Sequence, residues 1–222
     1  TIGLDRDASH LIVVDMGAGT TDIAALARSN GRLHELPTAR MTLKQAGDFV
    51  DSVIGNLTLK SSSWAKSPAQ QAEVWNAALR GARDIKESLF FDGRAALRVN
   101  GRTVKYALRD LERQPDFREF MRDLTLAYEQ GLEAVCGDAL GRGRKEVHAI
   151  AVGGGAYAPF IQNLLRTKPR RGRIKVKPRS ATPEWAHTKA FEGNLAPVFP
   201  QLAIAIGGAL APEEMLAAAA VR

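Results

Sequence analysis

The first part of the chain alternates short apolar runs with turn residues, a pattern typical of β-strands joined by tight turns. Apolar runs cover Leu11–Val14 and Thr21–Ala27, and a third run follows at Leu33–Leu36. The Asn30-Gly31 pair between the last two runs is the strongest short signal for a hairpin. Pro37 ends the third run, because proline cannot donate to a central ladder. The pattern predicts a meander of three antiparallel strands.

Beyond this meander the apolar spacing becomes that of helices. It predicts a helix over Leu43–Leu59, a long helix that Ser67 caps and that reaches Phe91, and a third helix over Asp116–Leu140. A second Asn-Gly turn predicts a hairpin over Leu97–Tyr106. The third helix would bury one stripe of side chains, which consists of Phe117, Phe120, Met121, Leu124, Tyr128, Leu132 and Val135.

The last third of the chain returns to strand patterns. An apolar strand from Val147 runs into Gly153-Gly154-Gly155, and a helix is predicted from Pro159. Alternation over Arg173–Lys177 predicts an edge strand whose basic side faces water. A closing helix over Leu202–Ala211 carries small residues that allow close packing on a sheet. Strands and helices in this order predict an α/β protein.

Composition limits the classes to which the protein can belong. With 222 residues, of which 45% are hydrophobic and 25% charged, the chain resembles globular proteins and can bury a sizeable core. Cys136 is the only cysteine, so no internal disulfide forms, and we expect a reducing, cytoplasmic compartment. No apolar run reaches the ~18 residues of a membrane span. We expect Cys136 to be buried and His148 to face outward from its strand.

The turn between the first two strands carries residue types that bind phosphate. Gly17 and Gly19 permit backbone angles closed to other residues and let main-chain N–H groups approach a ligand. Thr20 and Thr21 add hydroxyl donors, and Asp15 and Asp22 supply carboxylates at the two ends of the turn. This combination suits a phosphate with its hydrated magnesium ion. The alternative is a glycine-rich hairpin between two core strands.

A charged helix face and the second glycine turn are further candidates. Arg83, Lys86 and Glu87 are three and four residues apart, so they would project from one face of the long helix. The alternative is a solvated face with local ion pairs, which are common on helices. Glycines at a junction between a strand and a helix expose N–H groups that can hold a phosphate oxygen.

Together these motifs resemble those of the actin, sugar-kinase and seventy-kilodalton heat-shock-chaperone ATPase superfamily. Asp15–Asp22 resembles the second phosphate-binding loop of that superfamily, D-x-G-x-G-T-x-D. Ala82–Leu89 resembles the Arg-Asp-Ile-Lys-Glu of actin, in a helix that contacts adenosine. Gly153-Gly154, Pro159 and Leu164-Leu165 match the adenosine motif of the chaperones.

The resemblance implies a protein of two similar lobes facing each other across a nucleotide cleft, with this chain as the second lobe. Residues 1–44 and 146–222 would form a ribonuclease-H-like lobe, a mixed sheet with an antiparallel meander and flanking helices. A smaller α/β subdomain of helices and a hairpin, residues 45–145, would be inserted. The first lobe would be the partner of this chain and would supply the catalytic base, so no catalytic residue is expected here.

The resemblance also implies ATP or ADP and magnesium as ligands. Asp15 would hold the metal through water. The phosphates would lie on Gly17, Ala18, Gly19, Thr20 and Thr21. The nucleoside would be held by Arg83, Lys86, Glu87, Gly153, Gly154 and Tyr157. The chaperones place an arginine beside the base where this chain has Tyr157, whose ring would stack on adenine instead.

The implied function is magnesium-dependent ATP hydrolysis coupled to lobe closure, as in a chaperone-like or actin-like ATPase. A sugar-type small-molecule kinase is one alternative, which the first lobe would distinguish from the ATPase. A nucleotide-sensing module without turnover is another. A protein partner or filament neighbour stays open. The net charge of +7 is unevenly spread, with many basic residues in Arg166–Arg179. We expect a solvated edge there. A nucleic-acid or acidic partner is the less favoured alternative, because no aromatic residues interleave for stacking on bases.

Overall fold

The computed structural model describes residues 8–170, 173–182 and 195–209. The chain divides into two compact units: Thr1–Lys44 with Thr125–Arg222 (unit 1), and Gln45–Leu124 (unit 2). Whether residues 1–44 and 146–222 form one domain and residues 45–145 an insert stays a prediction. Among the described helices, none is both long and apolar enough to cross a membrane.

The described chain begins with a run of strands, continues with helices and a hairpin, and ends with alternating strands and helices. The strands are β1 (His10–Met16), β2 (Thr21–Ser29), β3 (Arg32–Glu35), β4 (Met41–Leu43), β5 (Arg94–Val99), β6 (Arg102–Ala107), β7 (Glu146–Val152) and β8 (Lys175–Arg179). The helices are α1 (Gly47–Ser61), α2 (Pro68–Arg80), α3 (Ala82–Asp92), α4 (Leu108–Glu112), α5 (Pro115–Gly141), α6 (Pro159–Leu164) and α7 (Phe199–Ala209). A short 3₁₀ helix lies at Pro37–Ala39.

Unit 1 is built on a mixed sheet with the strand order β3-β2-β1-β7-β8, and β4 also pairs with β2. The predicted meander is confirmed, since β1, β2 and β3 are antiparallel in sequence order. β7 is parallel to both β1 and β8. The carboxyl ends of β1, β7 and β8 therefore meet at one edge of the sheet. The turns that follow β1 and β7 carry the two glycine motifs, so the motifs lie at that edge.

The two Asn-Gly turns have the backbone that the sequence predicts. Asn30 and Gly31 have φ angles of 51° and 75°, and Asn100 and Gly101 have angles of 51° and 73°. Two successive left-handed residues form the turn whose twist matches that of the flanking strands. Asparagine tolerates this region better than most residues, and glycine has no Cβ to clash.

Helix α5 covers one face of the unit 1 sheet, and Gly131 makes the close approach. A Cβ atom at Gly131 would lie 3.3 Å from both Ile12 Cδ1 and Ile23 Cγ2. The predicted stripe of α5 is confirmed: Phe117, Phe120, Leu124, Tyr128, Leu132 and Val135 are buried, and Met121 is half-buried. Helix α7 contacts the same sheet through β7. The fold of unit 1 is therefore α/β, with a mixed sheet flanked by helices.

Unit 2 combines helices with the β5–β6 hairpin. One face of the hairpin is apolar, and Val99 packs in a cluster with Val74 and Ala65. The Thr58 and Tyr106 hydroxyl oxygens, both buried, lie 2.9 Å apart in a hydrogen bond. This bond satisfies two polar groups that would be costly to bury alone.

Two helix predictions are wrong in their bounds. Leu43 lies in β4, paired with Thr21, and α1 begins only at Gly47. The long helix predicted to reach Phe91 is divided at Gly81, where α2 ends and α3 begins. A Cβ atom at Gly81 would lie 3.2 Å from Leu97 Cδ1, so glycine allows β5 to pack closely at the break.

His148 and Cys136 test the expectations for single side chains. His148 is buried in β7 rather than facing outward, because β7 is a central strand between β1 and β8. Burial lowers the pKa of His148 from its ordinary value, and the nearby Arg179 lowers it further. Cys136 is buried as predicted, and burial raises the pKa of its thiol to about 11.

The basic edge strand is found two residues later than predicted, at β8, the last strand of the described sheet path. The closing helix predicted over Leu202–Ala211 corresponds to α7 as far as Ala209. Most of the loop predicted from Ser180 to Pro197 lies outside the described residues.

Candidate functional site

The β1–β2 turn presents its backbone at the surface. The amide of Gly17 donates to the Thr20 carbonyl oxygen at 3.0 Å, which closes the turn. Ala18, Gly19 and Thr20 are exposed, whereas Thr21 is fully buried as the first residue of β2. Of the two threonine hydroxyls, only that of Thr20 therefore lies at the surface.

The two glycines of this turn do not have the backbone angles expected of them. Neither Gly17 nor Gly19 is among the described glycines with positive φ, so the expectation of angles closed to other residues is wrong. A Cβ atom at Gly19 would have no neighbour within 4 Å, and one at Gly17 would meet only the Thr20 carbonyl at 3.6 Å. Glycine here leaves open space above the turn, which a ligand can approach.

Two carboxylates face each other at the base of the turn. Asp15 and Asp22 are directly opposite in the antiparallel pairing of β1 with β2. Burial raises the pKa of Asp15 above its ordinary value of 3.8, and the Asp22 carboxylate raises it further. Neither carboxylate has an ion-pair partner among the described residues. Like charges opposite each other are unfavourable, so a cation bound here would be stabilising.

The second glycine turn packs directly against the end of β1. The Gly155 amide donates to the Met16 carbonyl oxygen at 3.0 Å. Gly153 has a φ of +83°, and a Cβ atom there would lie 2.4 Å from the Met16 oxygen and 2.6 Å from Asp15 Oδ1. No side chain fits in that space. The structure thus brings together the predicted residues Asp15 and Gly153, and only glycine allows the contact.

A cavity of about 230 Å³ lies beside the second turn, within unit 1. Its lining comprises Ala151, Ala156, Tyr157, Gln162, Pro178, Arg179, Ser180, Ala181 and Pro200. The Tyr157 ring is 44% exposed, and its hydroxyl donates to the Ala196 carbonyl at 3.1 Å. Gln162 donates to the Ala156 carbonyl at 2.7 Å. The predicted residue Tyr157 is therefore one wall of a cavity with several polar groups.

The three predicted residues of the charged helix face lie in α3 of unit 2 and make ion pairs. Arg83 Nε donates to Glu87 Oε1 at 3.0 Å, and both side chains are exposed. Lys86 Nζ lies 2.7 Å from Asp51 Oδ1 and donates to the Gly47 carbonyl at 3.3 Å. These contacts are the local ion pairs of the alternative interpretation. A nucleoside role for Arg83, Lys86 and Glu87 stays a prediction.

Sequence reasoning missed one contributor to the carboxylate pair, Thr42. Asp22 accepts hydrogen bonds from the Thr20 hydroxyl at 3.2 Å and from the Thr42 hydroxyl at 2.5 Å. The bond from Thr42 depends on the pairing of β4 with β2, which places Thr42 opposite Asp22. The sequence predicts a helix from Leu43, so it gives no signal that Thr42 lies in a strand opposite Asp22.

Comparison with known proteins found no matching family profile and no curated protein of significant similarity. Within the described residues, no group of three or more His, Cys, Asp or Glu side chains could hold a metal ion by itself. A magnesium ion is commonly held by only one or two carboxylates together with phosphate oxygens and water. The Asp15–Asp22 pair has the donor set for that kind of binding.

Proposed function

We propose that this chain is one lobe of an ATP-binding, magnesium-dependent ATPase of the actin-like or chaperone-like type. The observation that carries the proposal is the meeting of both glycine turns at Asp15. A carboxylate of raised pKa lies between an exposed turn rich in amides and a second turn whose glycine leaves no room for a side chain. Such a site offers N–H donors for phosphate oxygens and a carboxylate for hydrated magnesium.

The sheet of unit 1 supports the proposal at the level of fold. An antiparallel meander, β1 to β3, is continued by the parallel strands β7 and β8 in one mixed sheet. We propose that this is a ribonuclease-H-like lobe. In open sheets with parallel strands, ligands bind at the carboxyl ends of the strands, where both glycine turns lie.

Different residues of the chain would bind different parts of the ligand. Asp15 would orient magnesium-bound water, and Asp22, held by two threonine hydroxyls, would add negative charge nearby. The amides of the exposed residues Ala18, Gly19 and Thr20 would bind phosphate oxygens, and the Gly17 amide would hold the turn closed. Tyr157, at the adjacent cavity, would contact the nucleoside. When bound, magnesium neutralises the phosphate charge and so lowers the barrier to attack by water.

We infer that hydrolysis also needs a second lobe. The resemblance implies two phosphate turns of the β1–β2 kind, and the water-positioning residue belongs to the other lobe. The proposed switch is closure of the lobes on the nucleotide. The kinase alternative depends on residues of that other lobe, and both the kinase and the sensing alternatives stay predictions.

The proposal can be tested by NMR titration of the isolated chain, since shift changes report even weak binding. ATP with magnesium at roughly 10 mM should shift the amide signals of Gly17–Thr20 and Gly153–Gly155 together. Asp15→Asn should reduce the dependence of these shifts on magnesium. Asp92→Asn, which removes an exposed carboxylate of α3, is the matched control and should change nothing. Shifts confined to other residues would contradict the proposal.

A further inference from the structure

The β5–β6 hairpin of unit 2 has two faces of opposite character. Its inner face packs Leu97, Val99 and Val104 toward the helices, and Arg102 lies 5.2 Å from the Trp64 ring centroid on that side. The register pairs Arg94 with Ala107, Ala96 with Lys105, and Arg98 with Thr103 on the outer face. The outer face therefore presents three cations separated by small side chains, and this set of residues is called the basic ribbon face.

The cations of the basic ribbon face have no anionic partner in the part of the chain that the structure describes. Arg94, Arg98 and Lys105 are exposed, and none has an ion pair or side-chain hydrogen bond among the described residues. Asp92 and Asp110, the carboxylates nearest to these cations along the chain, make no ion pair with them. The contrast is the segment Arg166–Arg179, where Arg170 pairs with Glu129 and Lys177 with Glu146. The ribbon face thus concentrates uncompensated charge on an ordered surface.

The spacing of the cations fits an extended partner. Arg94 and Arg98 are both two residues from Ala96, the position opposite Lys105, so the three side chains form a triangle on the face. Side chains on one face of a strand recur about every 6.6 Å along its length. An extended segment with acidic residues at alternate positions repeats its carboxylates at the same interval. Arginine adds a planar fork that binds carboxylates in a bidentate manner.

We propose that the basic ribbon face docks an extended acidic segment of a partner protein. Nucleic acid fits less well, because the face has no aromatic residue on which a base could stack. Three cations would also neutralise only about three phosphates, which gives weak binding to nucleic acid. Alanine and threonine between the cations leave the surface low enough for a peptide backbone to approach.

The test uses the full chain and a labelled peptide of alternating Glu and Ser, measured by fluorescence anisotropy. The triple variant Arg94→Gln, Arg98→Gln, Lys105→Gln should raise the dissociation constant about tenfold, which is the combined effect of losing three exposed ion pairs. A matched control removes three exposed cations elsewhere, Arg166→Gln, Lys168→Gln and Lys175→Gln. It should change the constant less than about twofold, because solvent screens distant charges.

Four outcomes would overturn the proposal. The first is equal weakening by both triple variants, which would reflect net charge alone. The second is undetectable binding of the alternating peptide to the unmodified chain. The third is tighter ribbon-dependent binding of a DNA duplex than of the peptide, and the fourth is the same preference for phosphatidylserine vesicles. The circular dichroism of both variants should match that of the parent chain, since the mutated side chains lie on the surface.

Discussion

Gly153 is the residue on which the contact between the two glycine turns depends. Its φ of +83° lies in the left-handed region, and the space beside it is filled by the Met16 carbonyl and the Asp15 carboxylate. Any side chain at this position would have to displace the Asp15 carboxylate from the end of β1. The residue therefore connects the stability of unit 1 directly to the geometry of the proposed site.

Gly153→Ala should destabilise the protein by at least ~2 kcal/mol, since the left-handed conformation alone costs about 1–2 kcal/mol and the Cβ contacts add to it. Gly154→Ala is the matched control, because a Cβ atom there has no neighbour within 4 Å. It should change the free energy of unfolding by less than ~0.5 kcal/mol. Urea unfolding measures both. Equal losses in the two variants would mean that the crowding at Gly153 has no energetic consequence.

Asp15 gives a prediction with a definite pH dependence. Its pKa is raised in the folded state by burial and then by Asp22, so the folded state binds the proton more tightly than the unfolded chain does. Protonated Asp15 therefore stabilises the folded state. This contribution is fully present below the pKa of the unfolded chain, near 3.8, and is lost as the pH rises through the pKa of the folded state. Asp15→Asn removes the charge and should raise stability by about 0.2–1 kcal/mol at neutral pH.

The stability difference between Asp15→Asn and the parent protein should shrink as the pH falls below the unfolded pKa of aspartate. Urea unfolding at neutral pH and near pH 3 measures it. Magnesium should stabilise the parent protein and not the variant. A variant less stable than the parent at neutral pH would show that the carboxylate is favourably paired, which would remove the reason to place a cation there.

At the residue scale the sequence indicated which chemistry to expect but not how it is assembled. Asp15, Gly17 and Gly153 could be selected from local patterns, because glycine and carboxylate types at the ends of strands are visible in one dimension. The backbone angles of Gly17 and the burial of His148 could not be predicted from local patterns, since both depend on the residues that pack around them. Thr42 was missed for the same reason.

Helix packing in unit 2 depends on a small residue at one crossing. A Cβ atom at Gly55 of α1 would lie 2.5 Å from Trp75 Cζ3 of α2. Alanine is the better helix former by ~1 kcal/mol, but the indole ring would have to move. Gly55→Ala should therefore lower the free energy of unfolding by about 1–3 kcal/mol, the usual cost of overpacking.

A second substitution separates packing from other causes. Trp75→Leu removes the ring, so adding Gly55→Ala to it should cost little or even stabilise α1. Asn56→Ala, at the exposed position next to Gly55, is a control and should be neutral or slightly stabilising. Urea unfolding of the parent, of Gly55→Ala, of Trp75→Leu and of the double variant gives the coupling energy between the two positions. Additive effects of Gly55→Ala and Trp75→Leu would contradict the contact.

At the element scale, strong local signals gave reliable predictions. Both Asn-Gly hairpins and the apolar stripe of α5 were found where the sequence placed them, because turn geometry and helical period are local properties. β4 was not predicted, because a strand of only three residues forms through its pairing with β2 and not through a local pattern. Leu43 also fits the helical spacing. The break at Gly81 reflects the contact of this residue with β5, and helix propensity carries no information about such a tertiary contact.

The whole molecule brings together segments that are distant in sequence. Asp15 of β1 pairs with Val152 of β7, so the site forms only when the parallel pairing of these strands is complete. Local patterns predicted each strand, but no local property of the sequence specifies that β1 and β7 are neighbours. The resemblance supplied that expectation for the site. The opposed carboxylates and the space filled beside Gly153 became visible only in the folded chain.

The last prediction concerns what this chain does with ATP on its own. If a second lobe supplies the other phosphate turn, the isolated chain lacks about four charge-assisted hydrogen bonds, each worth about 1.5–3 kcal/mol. The low end removes ~6 kcal/mol, or about four decades of affinity. A micromolar site would fall to roughly 10 mM, so calorimetric titration with ATP and magnesium should detect no binding. Hydrolysis should be absent as well, because the water-positioning residue is proposed to lie in the other lobe. Stoichiometric, tight binding with turnover would show that the described turns suffice, and the two-lobe proposal would have to be abandoned.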